Sequence, residues 1–182
     1  MREVRRQDLG HVVPDAPERG GRIASDLAQV SDPSASNWRM MGPVKEYFRK
    51  LLRYDLKANQ AWLETLDGWN DPAANQVLDH IAQAQRTWMS RVDPEMLPAE
   101  EKTLDAELKA MHDAWLRLLD DWDLDMRIEY ANQAGEVYSE PLWEILAHVI
   151  NHGTYHRGHL RGMAGERPFP ETDLIRFFRH PG

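Results

Sequence analysis

Seven residues late in the chain, Leu142, Ile145, Val149, His152, His156, His159 and Met163, recur at alternating spacings of three and four. A helix brings residues so spaced onto one face, and a stripe of this width is the seam by which a helix packs on its neighbours. That seam commits the chain to helices packed on helices. It is also chemically mixed: it begins apolar, turns to imidazole, and returns to apolar. The spacing predicts that His152 and His156 lie largely inside, with His148 to one side of the line.

The same period runs through three earlier segments. Val44, Tyr47, Phe48, Leu51 and Leu52, continued by Ala58, Ala61, Trp62 and Leu66, form a first stripe. Pro43 suits its opening turn and Gly68 its stop. Asn70-Asp71-Pro72 is a capping signal followed by proline at the first helical position. It opens a second stripe through Ala74, Val77, Leu78, Ile81, Ala84, Trp88 and Met89, ended by Pro94. A loop with Pro94 and Pro98 leads to the third: Leu104, Leu108, Met111, Trp115, Leu118, Leu119 and Trp122.

Next, the period shortens to two. Arg127-Ile128-Glu129-Tyr130 and Glu136-Val137-Tyr138 alternate polar and apolar around Asn132-Gln133-Ala134-Gly135, which reads as a short hairpin. Glu140-Pro141 opens the fourth helix, expected to run to about Gly165. A short apolar segment, Leu174-Ile175-Arg176-Phe177-Phe178, follows. The predicted class is all-α: a four-helix bundle with a small β-hairpin before its last helix. Trp62, Trp88, Trp115, Trp122 and Trp143 stand on or near the stripes and are expected in the core.

Residues 1–41 differ from the rest. They are rich in Pro, Gly, Ser, Asp and Arg and show no sustained period, so a tail, poorly ordered or draped on the domain, is expected before a bundle domain over 42–182. Met40 and Met41 stand where the pattern begins, and either is a candidate start. Arg2, Arg5 and Arg6 are followed by no apolar signal-peptide core, and no apolar run approaches the roughly 20 residues that span a bilayer. The expected address is the cytoplasm, with no membrane partner. Lysine plus arginine number 22 against 30 aspartates and glutamates, a net charge of −8 that argues against a nucleic-acid binder.

There is no cysteine, which excludes a disulfide, a thiolate metal site and a catalytic thiol of the chain's own. Half of the eight histidines lie in HVINHGTYHRGHL, residues 148–160. His152 and His156 are one turn apart on one face, so two ring nitrogens can converge on one ion. Adjacent imidazoles on a buried seam have polar atoms that must be satisfied, and a shared cation does this. Gly153 and Gly158 each cost about 1 kcal/mol against alanine in a helix. Their return is close approach of another backbone, or room near a site.

A third ligand must come from another helix. His80, on the edge of the second stripe, is the natural candidate, and His112, beside Met111, the weaker alternative. His11 and His180 lie in terminal segments. No H-E-x-x-H is present, and Glu144 and His148 stand four apart with no second copy, unlike the paired E-x-x-H of di-iron bundles. Phosphate loops, dinucleotide fingerprints and G-x-S-x-G elbows are also absent.

HVINHGTYHRGHL resembles the last-helix signature of the DinB/YfiT-like family, whose common form is close to HxxNHxxxHRGQ. YDLKANQAWLETL, Tyr54 to Leu66, is similar to that family's first-helix pattern Y-x-x-x-A-N. LDHIAQAQRTWMSRV resembles its second-helix pattern of histidine, tryptophan and arginine, and LWEILAHV and PETDLIRFFR are similar too. Together these cover about residues 43 to 179. The resemblance implies a four-helix bundle, usually a homodimer, holding a divalent metal through His80, His152 and His156. It implies a metal-dependent enzyme, of a kind that includes transferases using low-molecular-weight thiols. This chain departs from the pattern in carrying His159 where the family usually has glutamine.

Zinc or nickel is the expected cofactor, because all-nitrogen ligation disfavours magnesium and calcium. Three ligands plus solvent is the arrangement of a reactive site, where bound water or thiol becomes a nucleophile. Since the chain has no thiol, one must arrive as a cosubstrate beside a small-molecule substrate. His159 reads as a proton acceptor near the metal or as an innocent replacement rather than as a fourth ligand, and no other catalytic residue is assigned. The expected function is that of a metal-dependent transferase or hydrolase. The competing reading is a non-catalytic, metal-stabilised dimeric module for stress response or interaction.

Overall fold

A computed structural model describes residues 38–132 and 134–180, with side chains from residue 42. The tail expected over 1–41 lies, through residue 37, outside the described residues. The elements are α1 (Trp38–Asp67), α2 (Pro72–Val92), α3 (Leu104–Asp121), β1 (Arg127–Ala131), β2 (Val137–Pro141), α4 (Leu142–Ala164) and α5 (Leu174–Arg179). Both α1 and α2 pack on α3 and on α4. The predicted bundle and hairpin are present. No helix among the described residues is long and apolar enough to cross a membrane.

Local chemistry sets the ends of these elements. Asp71 caps α2, its carboxylate accepting from the backbone N–H of Ala73 and Ala74, with Pro72 in the first turn as expected. Thr103 caps α3 in the same way through Ala106 N–H. Pro43 does not open α1: the helix begins at Trp38 and runs through the proline. As the sixth residue of the helix it stands past the first four N–H groups, which have no partner anyway, so the carbonyl four residues before it loses its intrahelical donor.

The hairpin has a structural task. Its strands pair antiparallel with Tyr130 opposite Tyr138. Asn132 closes the turn by accepting from the N–H of Ala134 and Glu136, and Gly135 takes the left-handed φ of 82° the turn requires. Pro141 offers α4 no side-chain cap. Instead the Leu142 and Trp143 N–H groups donate to the carbonyls of Met126 and Leu124 at 2.9 and 3.1 Å. The turn into β1 therefore satisfies the start of the histidine helix.

The core falls into two apolar clusters. One gathers Leu51, Leu52, Met89, Met111, Trp115, Leu118, Leu142, Leu146 and Val149; the other gathers Trp62, Leu66, Leu78, Ile81 and Leu160. Along α1, α2 and α4 the residues between them are buried and polar: Asp55, Asn59, Gln85 and Arg157. A polar layer thus divides the bundle. Trp62 and Trp115 are fully buried as expected, and Trp88 and Trp122 are partly so. Trp143 corrects the tryptophan expectation: it lies on the outer side of α4, 41% exposed.

Candidate metal centre

The buried line of α4 is Val149, Gly153, Arg157, Leu160 and Ala164. Below Val149 it runs one residue out of step with the predicted seam of His152, His156, His159 and Met163. A straight helix turns away from a strict three-four repeat by about 20° per heptad. Arg157 completes the shift by taking the core position for an ion pair. The histidines therefore stand on the rim between α2 and α4. His152 and His156 are half-buried, not mostly buried, and His80, His148 and His159 are exposed.

On that rim, three of them meet. His80, His152 and His156 each offer a ring nitrogen within 4.8 Å of the others. The His80 ring centroid lies 5.1 Å from that of His152 and 4.6 Å from that of His156. Nε2 of His152 and Nε2 of His156 are 3.2 Å apart. Two nitrogens on one ion at about 2.0–2.1 Å stand about 3.4 Å apart at a tetrahedral angle and about 3.0 Å apart at a right angle. The observed spacing falls between these values, so His152 and His156 fit one small cation, and His80 offers a third nitrogen within 4.8 Å.

Electrostatics favour the same use. Burial lowers the His152 pKa to about 4, helped by the neighbouring charges of His156, His80 and His148. Burial also lowers His156, with His80 and His159 adding to it. The rings are held neutral, which is the form that ligates a metal. His159 acts on His156 through its charge but stands outside the group of three. His112 stands apart from the group: half-buried on α3, it lines a different cleft.

The polar layer lies directly behind this group, and sequence reasoning missed it. Arg157 Nη1 donates to Asp55 Oδ1 at 2.5 Å and to Asn59 Oδ1 at 2.7 Å. Asn59 and Gln85 donate to Asp55 Oδ2 at 3.1 and 2.9 Å, and Arg157 Nη2 donates to Thr154 Oγ1. Gly153 belongs to the same layer, since a Cβ there would stand 2.5 Å from Asp55 Oδ1. The room it makes is for a carboxylate rather than for a backbone. The signal was present in the A-N of the first-helix pattern and the H-R-G of the last, Asn59 and Arg157 here. Gly158 has no such neighbour; a Cβ there would meet nothing.

Next to His152 the rim continues as an aromatic wall. The His148 ring lies 5.8 Å from His152 and 4.9 Å from Trp88, and Trp88 packs edge-on to Tyr130 at 5.0 Å. The Arg91 guanidinium lies over Trp88 and Tyr130, at 4.8 and 5.3 Å. One side of the candidate centre is thus walled and the other open to solvent.

Comparison with known proteins places the chain among relatives. Protein DinB of Bacillus subtilis (strain 168) is 27% identical over 108 residues, covering 50% of this chain. The matched region spans 63% of that relative's length, less than two thirds. No solved structure matches the chain. The model of the DinB family matches residues 56–167, which contain α2, α3, the hairpin and α4 entire. With more than half of its length matched, the chain belongs to the DinB family.

Proposed function

We propose that His80, His152 and His156 hold one divalent transition metal, zinc or nickel, at the reactive centre of a metal-dependent enzyme. The observation that carries this is the convergence of three imidazole nitrogens within 4.8 Å, from two helices, at a position half open to solvent. Three protein ligands leave positions for a water or a low-molecular-weight thiol, whose pKa the ion would lower. The residues of the chain do the rest. The Asp55–Arg157 layer fixes the rotation of α4 and so aims His152 and His156 at His80. The Trp88–His148 wall limits water on one side. His159, exposed one turn beyond His156, serves as the proton acceptor.

Cobalt titration tests the ligand set. One equivalent of cobalt(II) is expected to develop a visible d–d band, lost in His80→Ala and kept in His159→Ala and His112→Ala. A band that survives in His80→Ala and vanishes in His159→Ala would put the site elsewhere. Addition of a simple thiol to the cobalt protein is expected to produce a sulfur-to-metal charge-transfer band, the sign of an open position.

One observation favours the alternative of a metal-stabilised dimeric module, in the cytoplasm like the enzyme. Tyr155, Gly158 and Gly162 share one face of α4; Tyr155 is 71% exposed, and both glycines would carry a Cβ into open space. A second copy packed there would account for all three. Sedimentation at micromolar concentration is expected to show a dimer, and absence of the thiol charge-transfer band in a dimeric cobalt protein would favour the module over the enzyme.

A further inference from the structure

A second site lies on the opposite flank of the bundle, away from the histidine rim. α1, α3 and α5 enclose a cleft of about 860 Å³, within the range of small-molecule sites. Its walls are Tyr47, Lys50 and Arg53 from α1, His112 from α3, and Phe177 and Phe178 from α5. Two features distinguish it from an ordinary surface groove.

The first is charge. The protein carries eight more acidic than basic residues. The charged residues lining this cleft are nevertheless all cationic: Lys50, Arg53 and Lys57. Among the described residues, neither Lys50 nor Arg53 has a carboxylate within ion-pair distance. Cations of one sign around an apolar hollow focus a positive potential into it.

The second is its apolar body: Tyr47 packs on Phe178 at 6.3 Å, and Phe177 on Phe178 at 6.2 Å. His112 also lines the cleft, and burial pushes its pKa below the ordinary histidine value.

We propose that this cleft binds an amphipathic organic anion, an aryl or alkyl carboxylate, with its charge against Lys50 and Arg53 and its body against Tyr47, Phe177 and Phe178. Nothing in the metal centre is needed for it, so the two sites stand or fall separately.

Isothermal titration of the full chain with phenylbutyrate, and with its neutral amide, tests the assignment. Phenylbutyrate is expected to bind saturably at one site, and the amide roughly tenfold more weakly, since a charge-assisted hydrogen bond is lost. Lys50→Gln and Arg53→Gln, both at exposed positions that leave the core untouched, are each expected to reduce the carboxylate's affinity severalfold and to leave the amide's unchanged. His80→Ala should bind phenylbutyrate as the parent does. Equal affinity for acid and amide, insensitivity to the double variant at Lys50 and Arg53, or failure to saturate would overturn the proposal. Loss of binding in His80→Ala would move the probe to the metal centre and overturn it too.

Discussion

Arg157 reaches across the α1–α4 interface to Asp55, Nη1 to Oδ1 at 2.5 Å, from the position next to His156. Successive residues in a helix point about 100° apart. With Arg157 fixed toward α1, His156 and, one turn earlier, His152 are left facing α2. The ion pair is buried, 3% and 4% exposed at its two side chains, and Asp55's other oxygen, Oδ2, accepts from both Asn59 and Gln85. Its removal is therefore informative.

Asp55→Ala is expected to destabilise the protein by about 3–5 kcal/mol, because it strands a buried guanidinium. The double variant Asp55→Leu, Arg157→Met should recover much of that loss, since apolar residues of similar size can replace a buried pair. Urea denaturation of the three proteins measures both numbers. A double variant that folds well but binds cobalt poorly would show that the pair orients α4 rather than merely stabilising it.

Gly153→Ala separates packing from helix propensity. Alanine is favoured in a helix by about 1 kcal/mol. Here its methyl would meet the Asp55 carboxylate at 2.5 Å and Arg157 Nη1 at 3.0 Å, groups held by their hydrogen bonds. Overpacking of this kind costs about 1–3 kcal/mol, so the expected net effect is destabilising despite the propensity gain. Gly158→Ala and Gly162→Ala, with open space around them, should be neutral or stabilising in the monomer. A comparison of urea midpoints among the three decides it.

Acid should weaken the metal-free protein before carboxylates titrate. His152 has its pKa lowered to about 4, and His148 and His156 are lowered as well, all chiefly by burial. In the unfolded chain a histidine titrates near 6.5, so between that value and about 4 the unfolded state binds more protons. Stability is full above pH 6.5 and falls as the pH is lowered through this window. Urea midpoints in the presence of a chelator, taken from pH 7.5 to 4.5, should show the decline, and His152→Gln should flatten it.

Removing metal should lower the melting temperature. An ion bound to the folded state alone at one hundred times its Kd adds about 2.7 kcal/mol. The shift on chelation should vanish in His80→Ala, whose exposed position makes a folding defect from that substitution small. Protons and metal compete for the same nitrogens, so the shift should shrink as the pH falls below about 6.

The bundle was legible because its signals are local. Asp71-Pro72, the change of period at Arg127, and Asn132 to Gly135 each act within a few residues. The meeting of His80 with His152 and His156 was legible because two constraints, helical spacing and a second helix, left few candidates. The depth of that group was not. It depends on which of two adjacent residues, His156 or Arg157, turns inward. That choice rests on Asp55, about a hundred residues away, which stands in step with Leu51 and Ala58 on the apolar stripe of α1 but whose partner no local pattern names. The same long-range pairing explains Gly153, which no periodicity assigns to a carboxylate on another helix.

His80 is an exposed residue, and its partners in the group are only half-covered. An ion held there would arrive after the chain has folded and leave without unfolding it. Occupancy would then follow the free metal around the protein on the time scale of ligand exchange, and the chain would report the supply of metal rather than retain a permanent stock. Exchange with a labelled ion, at a rate independent of the global unfolding rate, is the behaviour a rim position dictates.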